Sequence, residues 1–579
     1  MTSPVGSRRG SGSHLAAFGW CLAVASFATW PLAAHAGTHV IGNLGDPLEA
    51  AWRLAWGAHA VLRAPLHLFD ANIFHPEPLT LAYSENHLGV SVPLAPVFWI
   101  TGNALLSYNL AILAALAAGG FGVYLLTIEV TGFRSAAWVA GTAYTGVPFR
   151  VSMAGLGHLH VLDLYLLPVV LLVLLRLRRG SSRRPIAVLA LLVALSWWTS
   201  LTGTFMVMVT VGVWGIWELL RLRRGAWPLL GRALAGTAIG FVGAIPMLWP
   251  YAEVRRLHPE YRHPDLEVIE LSATPGSYLS PPPGGHLVRG TYGQLSARFR
   301  PRTVPAEKEL FPGFFLVAAC VATGAGALAH AVRRLGARRS LPAGETAGLV
   351  AVVGAVAVIL SFGPRYGARP DGAPLPFMAI DALIPGGLMR APARMGALAL
   401  LAMAVLAGVG VSWVPRPWRR FLVGGSLVFL LLEFAPAITL VRAPAPTAAH
   451  RAVAARSGAV LCLPTVELKE DGNPIGPTLP REAEHMYLSA AHFRPLTNGW
   501  GAYSPPGVKP FVAAVADLPS PGAFRALRAR DVQTVVVQTG LLAGTPWVGV
   551  EERLARWPGV RRIARATGVV VYDVAGATR

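Results

Sequence analysis

In the stretch IGNLGDPLEAAWRLAWGAHAVL, residues 41–62, two carboxylates, Asp46 and Glu49, stand just beyond the first apolar run of a chain otherwise poor in charge. Other polar residues follow between apolar runs: LFDANIFHPEP carries Asp70 and His75, and LAYSENHLG carries Glu85 and His87. Further on, FRVSMAGLGHLH holds Arg150, His158 and His160, FGPRYG holds Arg365, and LMRAPARM holds Arg390 and Arg394. A carboxylate at a membrane–water boundary serves as a general base or holds a divalent cation, and guanidinium groups match the oxygens of a phosphate or pyrophosphate. Acid, imidazole and arginine on one face therefore suit an anionic substrate carried on a lipid. In that reading Asp46 and Glu49 do the chemistry, while Glu85, His87, Arg150, His158, His160, Arg365, Arg390 and Arg394 bind substrate. A divalent cation is compatible with the acids, and its ligands stay unassigned.

Each of these residues also has a plainer reading. Asp46 follows a glycine and precedes Pro47, the pattern of a helix N-terminus capped by a short acid. His158 and His160 alternate instead of sharing a helical face, which suits packing or hydrogen bonding better than a metal pair. Arg390 and Arg394, four apart, either share a helix face or anchor at a membrane interface. Tryptophans such as Trp52, Trp56, Trp197 and Trp198 read as interfacial belt residues before they read as sugar platforms.

These groups must be positioned by membrane helices. Of 579 residues 54% are hydrophobic and 14% charged, and charge-free stretches recur from residue 15 to about residue 440, the signature of a polytopic α-helical membrane protein. The net charge of +21 does not indicate nucleic acid, because the arginines form short clusters between apolar runs and not one basic face. Those clusters, Arg8 and Arg9, Arg176 to Arg184, Arg221 to Arg232, Arg333 to Arg339 and Arg416 to Arg420, are assigned to the cytoplasm by the positive-inside rule. The intervening apolar runs then alternate to give about eleven transmembrane helices, with residues 89–101, which hold Pro93 and Pro96, as a piece that does not cross. The first loop (37–88), the loops 251–310 and 363–395, and everything after about residue 440 fall outside. SRRG, the apolar run from Leu15 to Ala34 and AHAG also imitate a cleavable signal peptide; Asp46 lies outside whether or not that run is removed.

The composition supports two domains, a membrane domain over 1–440 and a small external α/β domain over 441–579. In the latter, AVLCLP (459–464), VQTVVVQ (532–538) and GVVVYDV (568–574) read as strands and SPGAFRALRAR (520–530) as a helix. Cys21, Cys320 and Cys462 are too scattered for a disulfide framework or a thiolate metal site. No P-loop, dinucleotide fingerprint, H-E-x-x-H or G-x-S-x-G occurs, which argues against ATP-driven transport and common hydrolase chemistry.

A single span, a long external loop opening on GD with an acidic partner, a many-span bundle and a small external C-terminal domain together resemble the bacterial GT-C superfamily of integral-membrane glycosyltransferases. The motifs GDP, FDANIF-P, P-R…GHL, EKELFPG, R-PAR and NGW-AYSPP recur in a group of its members and relatives, and fall here at 45–47, 69–76, 148–159, 307–313, 390–394 and 498–506. The resemblance covers essentially the whole chain. It implies that the acid of the first external loop, here Asp46, is a catalytic base or metal ligand, and that the donor is a polyprenyl-phosphate sugar. The donor phosphate would be met by basic residues for which Arg365, Arg390 and Arg394 are the equivalents by location. The loop lacks the tight D-x-D or E-x-D of better-known members, Glu49 being three residues from Asp46, which puts metal dependence in question. The expected function is glycosyl transfer to a lipid or glycan acceptor at the outer face of the bacterial cytoplasmic membrane. The competing readings are a transporter or flippase of lipid-linked glycans, which needs ionisable groups near the bilayer midplane, and a non-catalytic envelope-assembly protein.

Overall fold

The computed structural model describes residues 9–162, 165–180, 182–261, 264–280, 306–333, 344–382, 389–467 and 478–577. The PPPGG tract at 281–285, Asp163 and nearly all of the arginine cluster 333–339 lie outside the described residues. In chain order the helices are α1 (Arg9–Ala28), α2 (Asp46–Arg63), α3 (Leu88–Thr101), α4 (Ala104–Thr131), α5 (Arg134–Gly146), α6 (Pro148–Leu156), α7 (Leu159–Leu162), α8 (Leu166–Leu177), α9 (Arg184–Thr199), α10 (Leu201–Leu222), α11 (Trp227–Leu257) and α12 (Asp265–Glu270). They continue as α13 (Phe314–Arg333), α14 (Gly344–Ser361), α15 (Pro376–Asp381), α16 (Gly396–Trp413), α17 (Arg416–Glu433), α18 (Ala448–Ala452), α19 (Leu479–Ser489), α20 (Val508–Val515), α21 (Pro521–Ala529) and α22 (Val550–Ala555). The strands are β1 (His39–Ile41), β2 (Leu440–Arg442), β3 (Ala459–Leu463), β4 (Val532–Gln538), β5 (Arg561–Ala566) and β6 (Val569–Asp573).

The chain divides into two compact units. The first comprises 1–34, 111–247 and 260–439; the second comprises 35–110, 248–259 and 440–579. The C-terminal α/β region, expected as a domain of its own over 441–579, is thus joined in one unit with the first loop and a short piece around residue 250. Among the described residues five helical segments are long and apolar enough to cross a membrane: 104–131, 159–177, 201–257, 344–361 and 392–413. Shorter apolar helices occupy the runs at 12–28, 88–101, 184–199 and 314–330.

In the first unit α16 is the central element, buried along nearly its whole length and packed against α5, α13 and α14. Small residues set these distances. The would-be Cβ of Gly120 on α4 collides with Thr145 Oγ1 and comes within 2.8 Å of the Gly141 carbonyl on α5, and a Cβ at Gly141 meets the Gly120 carbonyl at 2.9 Å. Lipid supplies no hydrophobic drive between helices, so such close backbone approach is what holds them.

Polar groups in this unit are paired off. α5 ends before Pro148, which has no N–H for the Tyr144 carbonyl four residues earlier. Arg150, 2% exposed, supplies the missing donor: its guanidinium reaches the carbonyls of Tyr144 (3.3 Å), Leu116 (3.0 Å), Ala115 (2.8 Å) and Leu162 (3.4 Å). At the start of α13 the backbone N–H of Phe314 donates to Glu433 Oε1 at 2.5 Å, and Gly313 (φ 94°) leaves room for that carboxylate. The RLRR arginines expected at the cytoplasmic ends also act as ties: Arg178 and Arg221 both bind Glu218, and Arg176 and Arg179 bind Glu129.

In the second unit the four-stranded sheet has the order β3-β4-β6-β5, with β3 and β4 parallel and β6 antiparallel to both of its neighbours. The strands anticipated near 459–464, 532–538 and 568–574 correspond to β3, β4 and β6, and the helix at 520–530 to α21. β5, RRIARA, was not anticipated, its arginines interrupting the run of β-branched residues by which the other strands were read. α20, α21 and α22 pack with the sheet around Phe511, Phe524, Leu527 and Trp547. Beside β3 runs the segment around Leu496, bridged in parallel to Val460, and beyond it the chain at 72–75: Leu496 N donates to Asn72 O, His75 N to Leu496 O and Phe74 N to Asn498 O. The FDANIFHP motif is thereby stitched to the edge of the C-terminal sheet.

Replacing Gly120 by Val should destabilise the detergent-solubilised protein by ~1–3 kcal/mol, the usual cost of overpacking a fitted interface. Gly324→Ala, at a position open on all sides, should leave the thermal unfolding midpoint unchanged or raise it; equal midpoints for the two variants would remove the close α4–α5 contact from the fold.

Candidate functional site

In the second unit, Asp46 is the first residue of α2 and Glu49 lies in the same first turn, where the helix dipole favours negative charge. The N-cap is Gly45, not Asp46, and it makes no side-chain cap. Glu49 is buried and ion-paired with Arg53 one turn on. Arg53 also donates to Ser84 Oγ at 2.8 Å and meets His87 Nε2 at 3.4 Å. Since a guanidinium only donates, His87 accepts through Nε2 and carries its proton on Nδ1. Burial, then the Arg53 charge, depresses the His87 pKa well below the ordinary imidazole value, so the ring is neutral. His87 is fully buried with φ 55° and caps the entry to α3. Glu85 is half-buried on the same loop, whose Ser84 carbonyl is held by Tyr251 Oη at 2.9 Å. The structure thus brings Glu49 and His87 together through Arg53, with Asp46 half-buried at the open end of the helix.

A second polar cluster lies in the first unit and centres on Glu307, from the EKELFPG motif. Arg394 donates to Glu307 Oε2 from Nε at 3.2 Å and Nη2 at 3.1 Å, and His158 Nε2 stands 3.6 Å from Oε1. Burial alone would raise the Glu307 pKa, but Arg394, with His158 and Arg390, holds it at about 2. Lys308, also buried, donates to the Glu270 carbonyl, and exposed Arg390 pairs with Glu267 at 2.8 Å. The His158 and His160 rings lie 5.2 Å apart because Gly157, in the left-handed region, ends α6 between Arg150 and the histidines.

Of the predicted site residues, His158, Arg394 and Arg390 therefore gather around Glu307 or its neighbours. Arg365 is spent on its own loop, donating to Gly372 O at 3.2 Å. Arg150 is spent on the carbonyls described above. Glu307 and Lys308 were part of a quoted motif but were not singled out; the signal was an EKE triplet in a chain with only 29 acids, facing the arginines of R-PAR. Among the described residues no group of three or more His, Cys, Asp or Glu side chains is arranged to hold a metal ion.

A third set, in the C-terminal region, was missed altogether. Glu482 on α19 is 1% exposed and accepts from the backbone N–H of Val466 (2.7 Å) and Gly499 (3.2 Å) and from Asn498 Nδ2 (3.3 Å). Burial nevertheless raises its pKa to about 7. Burial also lowers His485, beside it on α19, to about 4. Placing Glu482, Glu484 and His485 in an 11-residue amphipathic helix forces some of them onto the inner face, which was the legible sign.

No protein-family model matches the chain, and no curated protein matches it by sequence. Solved structures match its fold. In particular, the chain is similar to the arabinofuranosyltransferase AftD from Mycobacteria, at TM-score 0.58 and 16% identity over 99% of this chain and 42% of that one; it spans less than half the AftD length. Matches of lower similarity include the oligosaccharyltransferase of Archaeoglobus fulgidus (TM-score 0.47, 12% identity, 98% of this chain and 75% of that one). Another is ArnT from Cupriavidus metallidurans bound to undecaprenyl phosphate (TM-score 0.42, 12% identity, 98% and 99%).

Two outcomes test these clusters. Arg394→Met strands the Glu307 carboxylate and should cost ~3–5 kcal/mol, against ~0–1 kcal/mol for Arg390→Met at its solvent-exposed pair, read as unfolding free energies in detergent. Similar costs for the two would contradict the buried pairing. For Glu482 the folded pKa is raised above the ordinary 4.5 to about 7, so the folded state binds more protons and stability falls as pH rises from 4.5 to about 7. Glu484, also raised to about 7 by burial, adds to that slope. Glu482→Gln should remove Glu482's share and leave that of Glu484; an unchanged slope of unfolding midpoint against pH would show that Glu482 is not buried as described.

Proposed function

We propose that this protein transfers a sugar from a polyprenyl-phosphate donor to an envelope lipid or glycan acceptor at the outer face of the cytoplasmic membrane. The observation that carries the reading is the composition of the second unit. Three of the segments that the arginine pattern assigns to the outside, the first loop, the chain just past residue 250 and everything after about 440, fold together in that unit, whereas the rest of the loop 251–310 and the loop 363–395 belong to the first. The acid expected to do the chemistry opens a helix within that unit. Likeness to AftD supports the membrane-glycosyltransferase fold; the substrates of AftD and the undecaprenyl phosphate bound to ArnT are properties of those proteins.

In the proposed reaction Asp46 takes the proton of the acceptor hydroxyl. The acceptor oxygen attacks the anomeric carbon from the face opposite the phosphate, the bond from that carbon to the phosphate oxygen breaks, and the polyprenyl phosphate leaves with the bonding pair. Configuration inverts. Negative charge grows on the leaving phosphate, and arginines fixed before the reaction stabilise it without reorganisation. Arg394 and Glu307 fix the loop that carries Arg390. Glu49, already neutralised by Arg53, orients the first turn of α2 and leaves Asp46 as the base. The C-terminal region, sewn to the first loop through Asn72, Phe74 and His75, recognises the acceptor.

The test is genetic and chemical. Cells lacking the gene should lose one sugar-bearing envelope species in a mass-spectrometric profile, and wild type should restore it. Asp46→Asn, expressed at equal level, should restore it ~10²–10⁴-fold more slowly, the usual range for a lost general base. Full restoration by Asp46→Asn would reject Asp46 as the base and, with it, the transfer mechanism.

A further inference from the structure

The NGWGAYSPP motif at 498–506 has no part in the reaction as written above, yet its first residues are held with unusual care. Asn498 brackets β3 at Cys462, accepting from its N–H at 2.7 Å and donating to its carbonyl at 3.1 Å. Glu482 accepts from both Asn498 and Gly499, and Trp500 N–H donates to Met486 Sδ at 3.2 Å. A Cβ at Gly499 would press to 2.8 Å on the Phe74 ring, so only glycine lets the loop turn there. A buried carboxylate is costly unless it is well bonded, and Glu482 accepts from Asn498 and Gly499 of this loop and from the Val466 N–H.

What the loop delivers is Trp500, half-buried, beside Gly45. A methyl group added at Gly45 would lie 3.5 and 3.7 Å from Cη2 and Cζ3 of the indole and 3.0 Å from Asn43 Oδ1. Gly45 is therefore the floor between an aromatic ring and an amide, and the next residue is Asp46. A second observation points to a ligand at the same place. Tyr108, 1% exposed, precedes Asn109, whose amide donates to the Ala36 and His39 carbonyls shortly before α2, and the Tyr108 hydroxyl has no hydrogen-bond partner among the described residues. Buried hydroxyls are almost always bonded in finished structures.

We propose that Trp500, Asp46 and Tyr108 bound a subsite for one sugar ring of the acceptor, an inference that rests on the transfer reading. A sugar ring has an apolar C–H face and a rim of hydroxyls. The flat, electron-rich indole face takes the first; the Asp46 carboxylate and the Tyr108 hydroxyl take the second. The sequence-distant NGW and GDP motifs then act as one device: the C-terminal region supplies the platform and the first loop supplies the base, and stacking on Trp500 places an acceptor hydroxyl at Asp46. Trp500 is a specificity-determining residue in this scheme.

The test uses the full chain in lipid nanodiscs and a panel of methyl hexopyranosides and methyl pentofuranosides as probes, read by saturation-transfer NMR. At least one glycoside should receive saturation on its ring C–H protons. Trp500→Ala should weaken its binding about tenfold or more, equivalent to ~1.4 kcal/mol. Trp500→Phe should largely retain binding, and Tyr108→Phe should reduce it without altering the saturation pattern. An absence of saturation with every glycoside, or equal binding by wild type, Trp500→Ala and Tyr108→Phe, overturns the subsite. The transfer reading fails separately: if Trp500→Ala abolishes binding while Asp46→Asn fully restores the envelope profile, the sugar subsite stands in a protein that binds glycans without transferring them.

Discussion

A charge or a broken helix inside a low-dielectric fold must find its counterpart within the protein, because lipid offers none. The chain meets that constraint with pairs, and the pairs decide where the helices stop and which loops are rigid. Arg150 repairs the carbonyls freed by Pro148, Glu433 receives the first N–H of α13, and Glu218 gathers Arg178 and Arg221. Glu307 with Arg394 does the same for the loops at 307–313 and 390–396. None of these needs a substrate to be satisfied, which separates them from groups whose chemistry requires access to one.

The same constraint explains what could be read from the sequence. Apolar length and clustered arginines reported the helices well: the expected runs at 104–128, 345–362 and 396–414 appear as α4, α14 and α16, and the proline-bearing run at 89–101 is the short helix α3. The strands of the C-terminal region were legible from β-branched runs, except β5, whose arginines masked its alternation. What spacing cannot report is which distant acid meets which distant base. Arg150 carries the same charge as Arg390, but one is 2% exposed among carbonyls and the other is in solvent; only the break at Pro148 distinguished them in advance. Glu307 was invisible as a partner because Arg394 lies 87 residues away, and Glu482 because its partners are mostly backbone amides, which leave no mark on a sequence.

The unit boundaries follow from similar reasoning. A loop as long as 37–88 cannot bury enough apolar surface to order itself. It is ordered by borrowing the edge of a sheet built from residues 459–573. Strand addition satisfies the backbone groups of 72–75 that would otherwise need water, and Asn72 adds side-chain bonds to Ser489 and to the Arg494 carbonyl. Trp52 on α2 donates to Asn72 Oδ1 at 3.0 Å, which carries the anchoring from the sheet to the helix that begins at Asp46. Motifs more than four hundred residues apart in the sequence are therefore neighbours for a mechanical reason, and the first loop inherits its order from the C-terminal region.

That dependence bears on the role of base proposed for Asp46. A base gains when its surroundings are moderately apolar and its partner hydroxyl is already placed. Glu49 in the same turn would add repulsion, but Arg53 cancels its charge, and burial keeps His87, on the far side of Arg53, neutral. The Glu49 charge in this turn is thus balanced within the fold. Positioning of the acceptor then becomes the term left to vary, and it depends on the register of α2 against the sheet through Trp52, Asn72 and Ser489. A loosening of that chain of contacts shifts Asp46 without touching it, so under the proposed transfer the rigidity of the C-terminal region would serve the chemistry as well as the fold.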